Sequence, residues 1–241
     1  MSNEILKVEN IMKRFGGFVA LQSVSFHLNE NERLGLIGPN GSGKTTMINC
    51  IAGALTHDEG QVIFRGGNIT KLTPHKRARL GISRSFQIPR PFKSMNVIEN
   101  LMIPLEYAAW DRVDRRHLED EARTILELVG FKGRATESSA SLTQVDMRKL
   151  ELARALAAKP ALLVSDEAMA GLSNSEVDEI LEILFKLNDR GVAVIMIEHI
   201  MRAVTRYCER IIVLDVGTKI ADGSPDEVLN NPAVERAYLG E

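Results

Sequence analysis

The segment Gly38-Pro39-Asn40-Gly41-Ser42-Gly43-Lys44-Thr45-Thr46 constrains the fold more than any other part of this 241-residue sequence. It matches the pattern G-x-x-x-x-G-K-[ST], and it lies between the apolar run 34–37 and a helical pattern through Ile48 and Ile51. Glycines let the backbone curl so that successive N–H groups point at phosphate oxygens, and the following helix adds its positive N-terminal end. The sequence therefore predicts a nucleoside triphosphate site between a buried strand and a helix.

Two acidic residues follow a second apolar run, where the metal of such a site is expected. Residues 161–164 read as a buried strand, and Asp166 and Glu167 follow it at the strand end, where ligands bind in open α/β sheets. We expect Lys44 to reach the β- and γ-phosphates and the Thr45 hydroxyl to ligate Mg²⁺. Asp166 is expected to hold the same ion through water, and Glu167 to polarise the attacking water. The alternative is a solvated acidic pair.

Short apolar runs alternate with helical patterns in much of the chain, which is typical of a parallel sheet in an α/β core. Further runs at residues 192–197 and 211–214 read as buried strands. The first stretch reads instead as short strands joined by turns, with Gly66-Gly67 as a hairpin turn within residues 61–69. The sequence thus predicts an α/β fold preceded by a region of β-strands.

The middle of the chain predicts a helical insertion in this core. Residues 88–157 lack β-runs and carry helical patterns. Beyond the insertion, Ser173 with Glu176 and Ser224 with Glu227 form the capping signatures of two later helices.

Charge and cysteine content exclude some classes of protein. The 30 Lys and Arg residues against 32 Asp and Glu residues give a net charge of −2, so no basic excess indicates a nucleic-acid partner. The two cysteines, Cys50 and Cys208, have no metal-ligand spacing. The apolar runs are too short to cross a bilayer.

The order of the motifs resembles that of the ATP-binding subunits of ABC transporters over nearly the whole chain. Arg84-Ser85-Phe86-Gln87 is similar to the Q-loop of that family, and Ala170-Gly171-Leu172-Ser173 is similar to its D-loop. The resemblance implies that Gln87 senses metal and water, that His199 contacts the γ-phosphate and that Phe15 stacks on adenine. Phe15 as a core aromatic residue, and His199 as a structural histidine, are the alternatives.

The resemblance also implies the architecture and the chemistry. The fold would be a P-loop NTPase (RecA-like) with a parallel-sheet core, an N-terminal antiparallel β subdomain and an inserted α-helical subdomain. A single ATPase domain would span 1–241, with the core and β subdomain in 1–87 and 158–241 and the helical subdomain in 88–157. The activity would be ATP hydrolysis, with ATP and Mg²⁺ bound.

Several segments are closer to one branch of the family. Arg14-Phe15-Gly16-Gly17, residues 84–87, residues 168–172 and residues 237–241 resemble the ATPases of branched-chain amino acid importers. This implies a cytoplasmic chain bound peripherally to the inner face of the cell membrane. Its partners would be membrane permease subunits, a second ATPase subunit and, indirectly, a solute-binding protein. Residues 87–101 would shape a groove for a permease helix, unless they form an ordinary surface loop.

The family signature, close to L-S-G-G-Q, falls on Leu142-Thr143-Gln144-Val145-Asp146 and departs from the pattern. Val145 replaces a glycine where backbone should approach the nucleotide, and Asp146 replaces glutamine with a negative charge. Asp146 could instead cap the following helix. In this family each ATP is sandwiched between the phosphate loop of one subunit and the signature of the other. The hypothesis is a heterodimer in which the partner supplies the intact signature; the alternative is that both sites work.

Three other functions stay open from the sequence. One is an ABC ATPase of another system, such as lipid export or uptake of urea or an amide. Another is an ABC factor that transports nothing. A P-loop kinase or GTPase is the third, and it would leave Gln87 and His199 unexplained.

The expected nucleotide-binding, metal-binding, catalytic and signature residues are Phe15, Gly38, Asn40, Gly41, Ser42, Gly43, Lys44, Thr45, Thr46, Gln87, Asp166, Glu167, His199 and Leu142, Thr143, Gln144, Val145, Asp146.

Overall fold

The computed structural model describes residues 3–85, 89–109 and 113–239, so Gln87 lies outside the described residues. The strands are β1 Glu4–Phe15, β2 Phe18–Asn29, β3 Arg33–Ile37, β4 Glu59–Phe64, β5 Gly67–Asn68, β6 Ile82–Ser85, β7 Leu162–Asp166, β8 Ala193–Ile197, β9 Arg210–Asp215 and β10 Thr218–Gly223. The helices are α1 Lys44–Ala52, α2 Pro74–Leu80, α3 Val97–Tyr107, α4 Leu118–Leu128, α5 Gln144–Ala157, α6 Asn174–Asn188, α7 Met201–Tyr207, α8 Pro225–Leu229 and α9 Pro232–Leu239.

The strands form two sheets, and the predicted fold class is confirmed. The first sheet is antiparallel, with the strand order β2-β1-β4-β5. The second has the order β10-β9-β3-β8-β7-β6, and only its edge strand β10 pairs in the antiparallel sense. This is a parallel core with an N-terminal antiparallel β unit, as the sequence predicted.

The central strands are apolar throughout because both faces of the parallel sheet are covered. Along β8, Val194 and Met196 pack into a cluster with α3 to α7. The alternate residues Ile195 and Ile197 pack into a second cluster, which contains α1 and the antiparallel sheet. Helices thus cover one face, and α1 with the antiparallel sheet covers the other.

The helical region contains α3, α4 and α5, and their apolar faces pack together. Asn96 and Glu99 form a capping box at the start of α3. The two capping boxes predicted from the sequence, at Ser173 and Ser224, are also present and begin α6 and α8.

The subdomain boundaries at 88 and 157 stay predictions. No helix in the described ranges has the length and apolar character needed to span a membrane.

One turn differs from its prediction. The hairpin after β4 turns at Arg65 and Gly66, which have φ values of 48° and 76°. Gly67 pairs with Phe64 and so belongs to the strand β5. A two-residue turn with both φ values positive suits the right-handed twist of the strands, which moves the turn one residue towards the N-terminus.

Arg77 is a buried arginine that joins α1 to α2. Its guanidinium donates to the carbonyl oxygens of Cys50 at 2.6 Å and Ile51 at 2.7 Å, which belong to the last turn of α1. It also donates to the carbonyl oxygens of Leu72 and Thr70, at 3.0 and 2.8 Å. The side chain therefore satisfies carbonyls that the helix end leaves without partners.

We predict that Arg77→Met lowers the free energy of unfolding by about 2–4 kcal/mol, because buried carbonyls lose charge-assisted hydrogen bonds. Urea unfolding followed by circular dichroism measures the change. Arg79→Met, at an exposed position of the same helix, is the matched control and should change stability by less than about 0.5 kcal/mol. Equal effects of the two substitutions would contradict this role of Arg77.

Candidate functional site

The phosphate loop is pressed between the two sheets, and its glycines are required by that close packing. Gly38 has a φ of 147°, and a Cβ atom there would lie 2.0 Å from the carbonyl oxygen of Leu214. A Cβ atom at Gly43, where φ is 105°, would lie 2.7 Å from the carbonyl oxygen of Ala20. The curled path of residues 38–43 therefore depends on glycine at both positions.

Lys44 is the first residue of α1, and its side chain folds back over the loop. Its Nζ donates to the carbonyl oxygens of Gly38 at 2.8 Å and of Pro39 at 2.9 Å. Burial lowers the pKa of Lys44, while the charges of Glu167 and Asp166 act in the opposite direction. The ammonium group is held by neutral carbonyls, and charged phosphate oxygens are stronger acceptors for it.

The polar groups of the loop fit a polyphosphate and its metal. The Ser42 hydroxyl is buried and has no hydrogen-bond partner among the described residues. Asn40 and Thr45 are exposed, and Thr46 is half-buried in the first turn of α1. The oxygens of Thr45 and Asp166 are of the hard type that Mg²⁺ prefers. Within the described ranges no group of three or more His, Cys, Asp or Glu side chains could hold a metal ion.

Glu167 and His199 are in contact at the carboxyl ends of adjacent strands. The Nε2 of His199 lies 3.2 Å from the Oε1 of Glu167. The two residues follow β7 and β8, and the Glu167 N–H donates to the carbonyl oxygen of Ile197 at 2.9 Å. Glu167 has a φ of 48°, in the left-handed region, so an uncommon backbone conformation orients its side chain.

Asp166 is the last residue of β7 and is ion-paired inside the protein. The Nη2 of Arg84 lies 2.6 Å from the Oδ2 of Asp166. The Nη1 of the same guanidinium donates to the Oδ1 of Asn49, in α1, at 2.6 Å. Arg84 therefore links the metal-binding candidate to the helix that follows the phosphate loop.

Glu198 is a buried carboxyl group next to this contact. Its Oε1 accepts a hydrogen bond from the N–H of Met169 at 2.9 Å. Burial, helped by the nearby charge of Glu167, raises the pKa of Glu198 to about 7, although the Met169 hydrogen bond opposes the shift. Glu198 thus ties the segment after Glu167 to the strand end that carries His199.

Phe15 ends β1 at the surface, and its ring is not in the core. Half of the residue is exposed, at 50%. The Lys13 ammonium lies 5.4 Å from the ring centroid, on the face of the ring. An exposed ring of this kind can stack on a base.

The signature residues lie around the start of α5. Thr143 is the N-cap residue, and its Oγ1 accepts from the N–H of Asp146 at 3.2 Å. The expectation that Asp146 caps this helix is therefore wrong, because Thr143 occupies the capping position. Gln144 and Val145 form the first helical positions, and Leu142 is buried. No hydrogen bond or ion pair between described residues joins 142–146 to the phosphate loop.

Asp146 makes an ion pair with Arg134 instead. The Nη2 and Nη1 of Arg134 donate to the two carboxylate oxygens of Asp146 at 2.8 and 3.2 Å, and Glu137 accepts from the same guanidinium at 2.7 Å. Burial alone would raise the pKa of Asp146, but hydrogen bonds with Arg134 and Thr143 hold it below its ordinary value. The negative charge at this signature position thus has a cation beside it.

The structure brings together Lys44, Asp166, Glu167 and His199, while the roles expected for them and for Gln87 stay predictions. Sequence reasoning assigned no role to Arg84, Glu198 or Arg134. Arg84 lies inside the segment that resembles the Q-loop, and Glu198 directly precedes His199, so their positions were a usable signal. Arg134 lies outside every motif, and nothing in the sequence pointed to it.

Comparison with known proteins gives the family. The family model described as "ABC transporter" matches residues 21–170, and one described as "Branched-chain amino acid ATP-binding cassette transporter" matches residues 218–241. The chain is 39% identical over 255 residues to the high-affinity branched-chain amino acid transport ATP-binding protein LivG of Salmonella typhimurium. It is 36% identical to the corresponding protein BraF of Pseudomonas aeruginosa. Both alignments cover 100% of each chain.

Comparison with solved structures points to the same family. A crystal structure of the ADP conformation of an ATP-binding cassette of an ABC transporter superposes with a TM-score of 0.89 at 35% identity, covering 99% of both chains. A nucleotide-free cassette superposes with a TM-score of 0.88 at 35% identity, covering 99% of this chain and 100% of the other. The chain therefore belongs to the family of ATP-binding subunits of ABC transporters, and it is an ATPase of that family.

The raised pKa of Glu198 predicts a pH-dependent stability. A carboxyl group with a folded pKa near 7 stabilises the fold fully below its ordinary pKa and loses that contribution as the pH rises through 7. We predict that Glu198→Gln, which keeps an acceptor for Met169, matches wild type near pH 5 and is more stable at pH 8 by about 2–3 kcal/mol. Chemical unfolding across this range is the measurement. Glu30→Gln, at an exposed position, should follow wild type at every pH; so should Glu198→Gln if the raised pKa is wrong.

Proposed function

We propose that this chain is the ATP-hydrolysing subunit of a membrane importer for branched-chain amino acids. The observation that carries the proposal is the contact of Glu167 with His199 at the sheet edge that also holds Lys44. The relatives named for branched-chain amino acid transport, together with the match over residues 218–241, support this class of cargo.

The phosphates of ATP would lie along the loop, and they would replace the loop carbonyls as the hydrogen-bond acceptors of Lys44. The ammonium group would leave the carbonyls of Gly38 and Pro39 for the β- and γ-phosphate oxygens. The Ser42 hydroxyl and backbone N–H groups within residues 40–46 would complete the cradle. Adenine would stack on Phe15, whose ring is exposed at the end of β1.

The remaining residues of the site would hold the metal and act on the attacking water. When bound, Mg²⁺ supplies positive charge to the phosphate oxygens. Thr45 and Asp166 would hold it, with Gln87 as a further ligand. Glu167 would accept a proton from the attacking water, and His199 would orient Glu167 and contact the γ-phosphate.

A groove between α2, α3 and α5 supports a permease as the membrane partner. Its volume is about 470 Å³, and mainly apolar residues line it, among them Ala52, Pro74, Ala78, Phe92, Ile103 and Tyr107. Phe92 comes from the segment 87–101 that the sequence singled out, whereas Val97 and Leu101 of that segment are buried. A short permease helix would dock here, which would bring the chain to the cytoplasmic face of the membrane. A solute-binding protein would then act on the permease from the other side.

A second ATPase subunit would complete each nucleotide site. The start of α5 would face the nucleotide on the partner, with the backbone around Val145 near the phosphates. Because Arg134 offsets the charge of Asp146, the branched side chain of Val145 is the greater obstacle. We propose that the chain works best beside a partner with an intact signature.

Two substitutions separate nucleotide binding from chemistry. We predict that Glu167→Gln keeps ATP affinity and lowers ATP turnover by about 100-fold or more, since proton transfer to the base is lost. Lys44→Ala should instead weaken ATP binding by about ten-fold or more, because a charge-assisted contact to phosphate is removed. Calorimetric titration with ATP and steady-state phosphate release measure the two effects. Loss of affinity as the main effect of Glu167→Gln would contradict the assignment.

The signature makes a second prediction. ATPase activity of the isolated chain should be weak and should rise little with protein concentration, while Val145→Gly should raise it by about ten-fold. Asp146→Gln, the matched change of charge, should have a much smaller effect, because Arg134 already offsets that charge. Phosphate release measured over a concentration series tests this. Robust wild-type activity that rises with concentration would remove the need for a different partner subunit.

A further inference from the structure

Arg84 connects three parts of the molecule that the proposed function uses separately. Its guanidinium bonds the Oδ2 of Asp166 and the Oδ1 of Asn49, each at 2.6 Å. The same side chain lines the apolar groove between α2, α3 and α5. It therefore lies between the carboxylate expected to serve the metal and the surface expected to receive the permease.

The Arg84–Asp166 pair is largely removed from water. The side chains of Arg84 and Asp166 are 15% and 8% exposed, respectively. At this depth the attraction between the charges is stronger than on the surface, and a carboxylate that loses a neighbouring cation becomes costly. Asp166 thus needs positive charge beside it, from the protein or from a metal.

We infer that Arg84 is a positioning residue that competes with Mg²⁺ for the Asp166 carboxylate. The inference rests on the proposed function, in which Asp166 serves the metal. A carboxylate that turns towards a hydrated Mg²⁺ ion gives up part of its bond to the guanidinium, because the two cations repel each other at short range. Asn49 then keeps a hydrogen bond to Arg84 and holds the guanidinium near the site.

Competition and a purely structural ion pair predict opposite effects of losing Arg84 on the response of the protein to Mg²⁺. If the pair were only structural, its loss would destabilise the fold and also weaken metal binding by disordering Asp166. If Arg84 competes with the metal, its loss destabilises the protein in the absence of Mg²⁺ and strengthens the response to Mg²⁺. The sign of the metal response therefore distinguishes the two roles.

The experiment measures ADP affinity of the full chain by calorimetry, in excess Mg²⁺ and in EDTA. The ratio of the two affinities is the Mg²⁺ enhancement. We expect Arg84→Gln to increase this enhancement by about ten-fold and to lower the thermal midpoint in EDTA. Arg84→Lys keeps the positive charge and should return the enhancement to within about two-fold of wild type.

Asn49→Ala provides a second test that does not remove the buried charge. Without the Asn49 amide, the guanidinium of Arg84 loses an acceptor that draws it away from Asp166, so the enhancement should fall by a few-fold. Arg123→Gln is the matched control, because it removes an exposed arginine–glutamate pair, 2.7 Å long, on α4. It should leave the enhancement unchanged.

The outcomes distinguish a failure of the inference about Arg84 from a failure of the proposed function on which it rests. An enhancement in Arg84→Gln that is unchanged or smaller than in wild type overturns the competition, even if ADP binding and the other site residues behave as proposed. A wild-type chain whose ADP affinity does not respond to Mg²⁺ overturns the metal role of Asp166 and the competition together. A larger enhancement in Arg84→Gln with a smaller one in Asn49→Ala supports the inference.

Discussion

The alignment of the carboxyl ends of three neighbouring parallel strands is the constraint on which the site depends. β3, β8 and β7 lie side by side, with Gly35 opposite Met196 and Asp166 opposite Ile197. The phosphate loop, His199 and Glu167 each continue one of these strands. Residues that are far apart in the sequence are therefore brought together by the positions of the strand ends, and their contact does not depend on long side chains. Any change that shifted one strand by a residue would separate the base from the loop.

The charged residues that the sequence singled out have partners inside the chain. Lys44 donates hydrogen bonds to two loop carbonyls, Asp166 forms an ion pair with Arg84, and Asp146 forms an ion pair with Arg134. Buried charges without partners are costly, so a stable fold needs these contacts. In the proposed function, nucleotide binding would exchange one set of hydrogen bonds for another, and its free energy would be the difference between the two sets.

Local patterns in the sequence predicted the fold, and they selected Lys44, Asp166, Glu167 and His199, which the structure brings together. The phosphate loop, the strand before Asp166 and the capping boxes are each specified within a few neighbouring residues. The partners of Asp166 and Asp146 were not predictable in this way, because Arg84 and Arg134 reach them through tertiary packing. The role of Asp146 as a helix cap was wrong for a related reason: Thr143, three residues earlier, satisfies the same helix end. The turn at Arg65 was misplaced because strand twist decides which residues turn.

The close packing of the phosphate loop has a mechanical consequence. Gly38 lies against the backbone of β9, and Gly43 lies against the backbone of β2. The N–H of Gly217, in the turn between β9 and β10, donates to Ser42, and the carbonyl of Gly217 accepts from Gln22 in β2. The loop is thus a joint between the parallel and the antiparallel sheet, unlike an ordinary surface turn that moves alone. A displacement of this loop would therefore act on both sheets at once, which makes the loop a mechanical link between them.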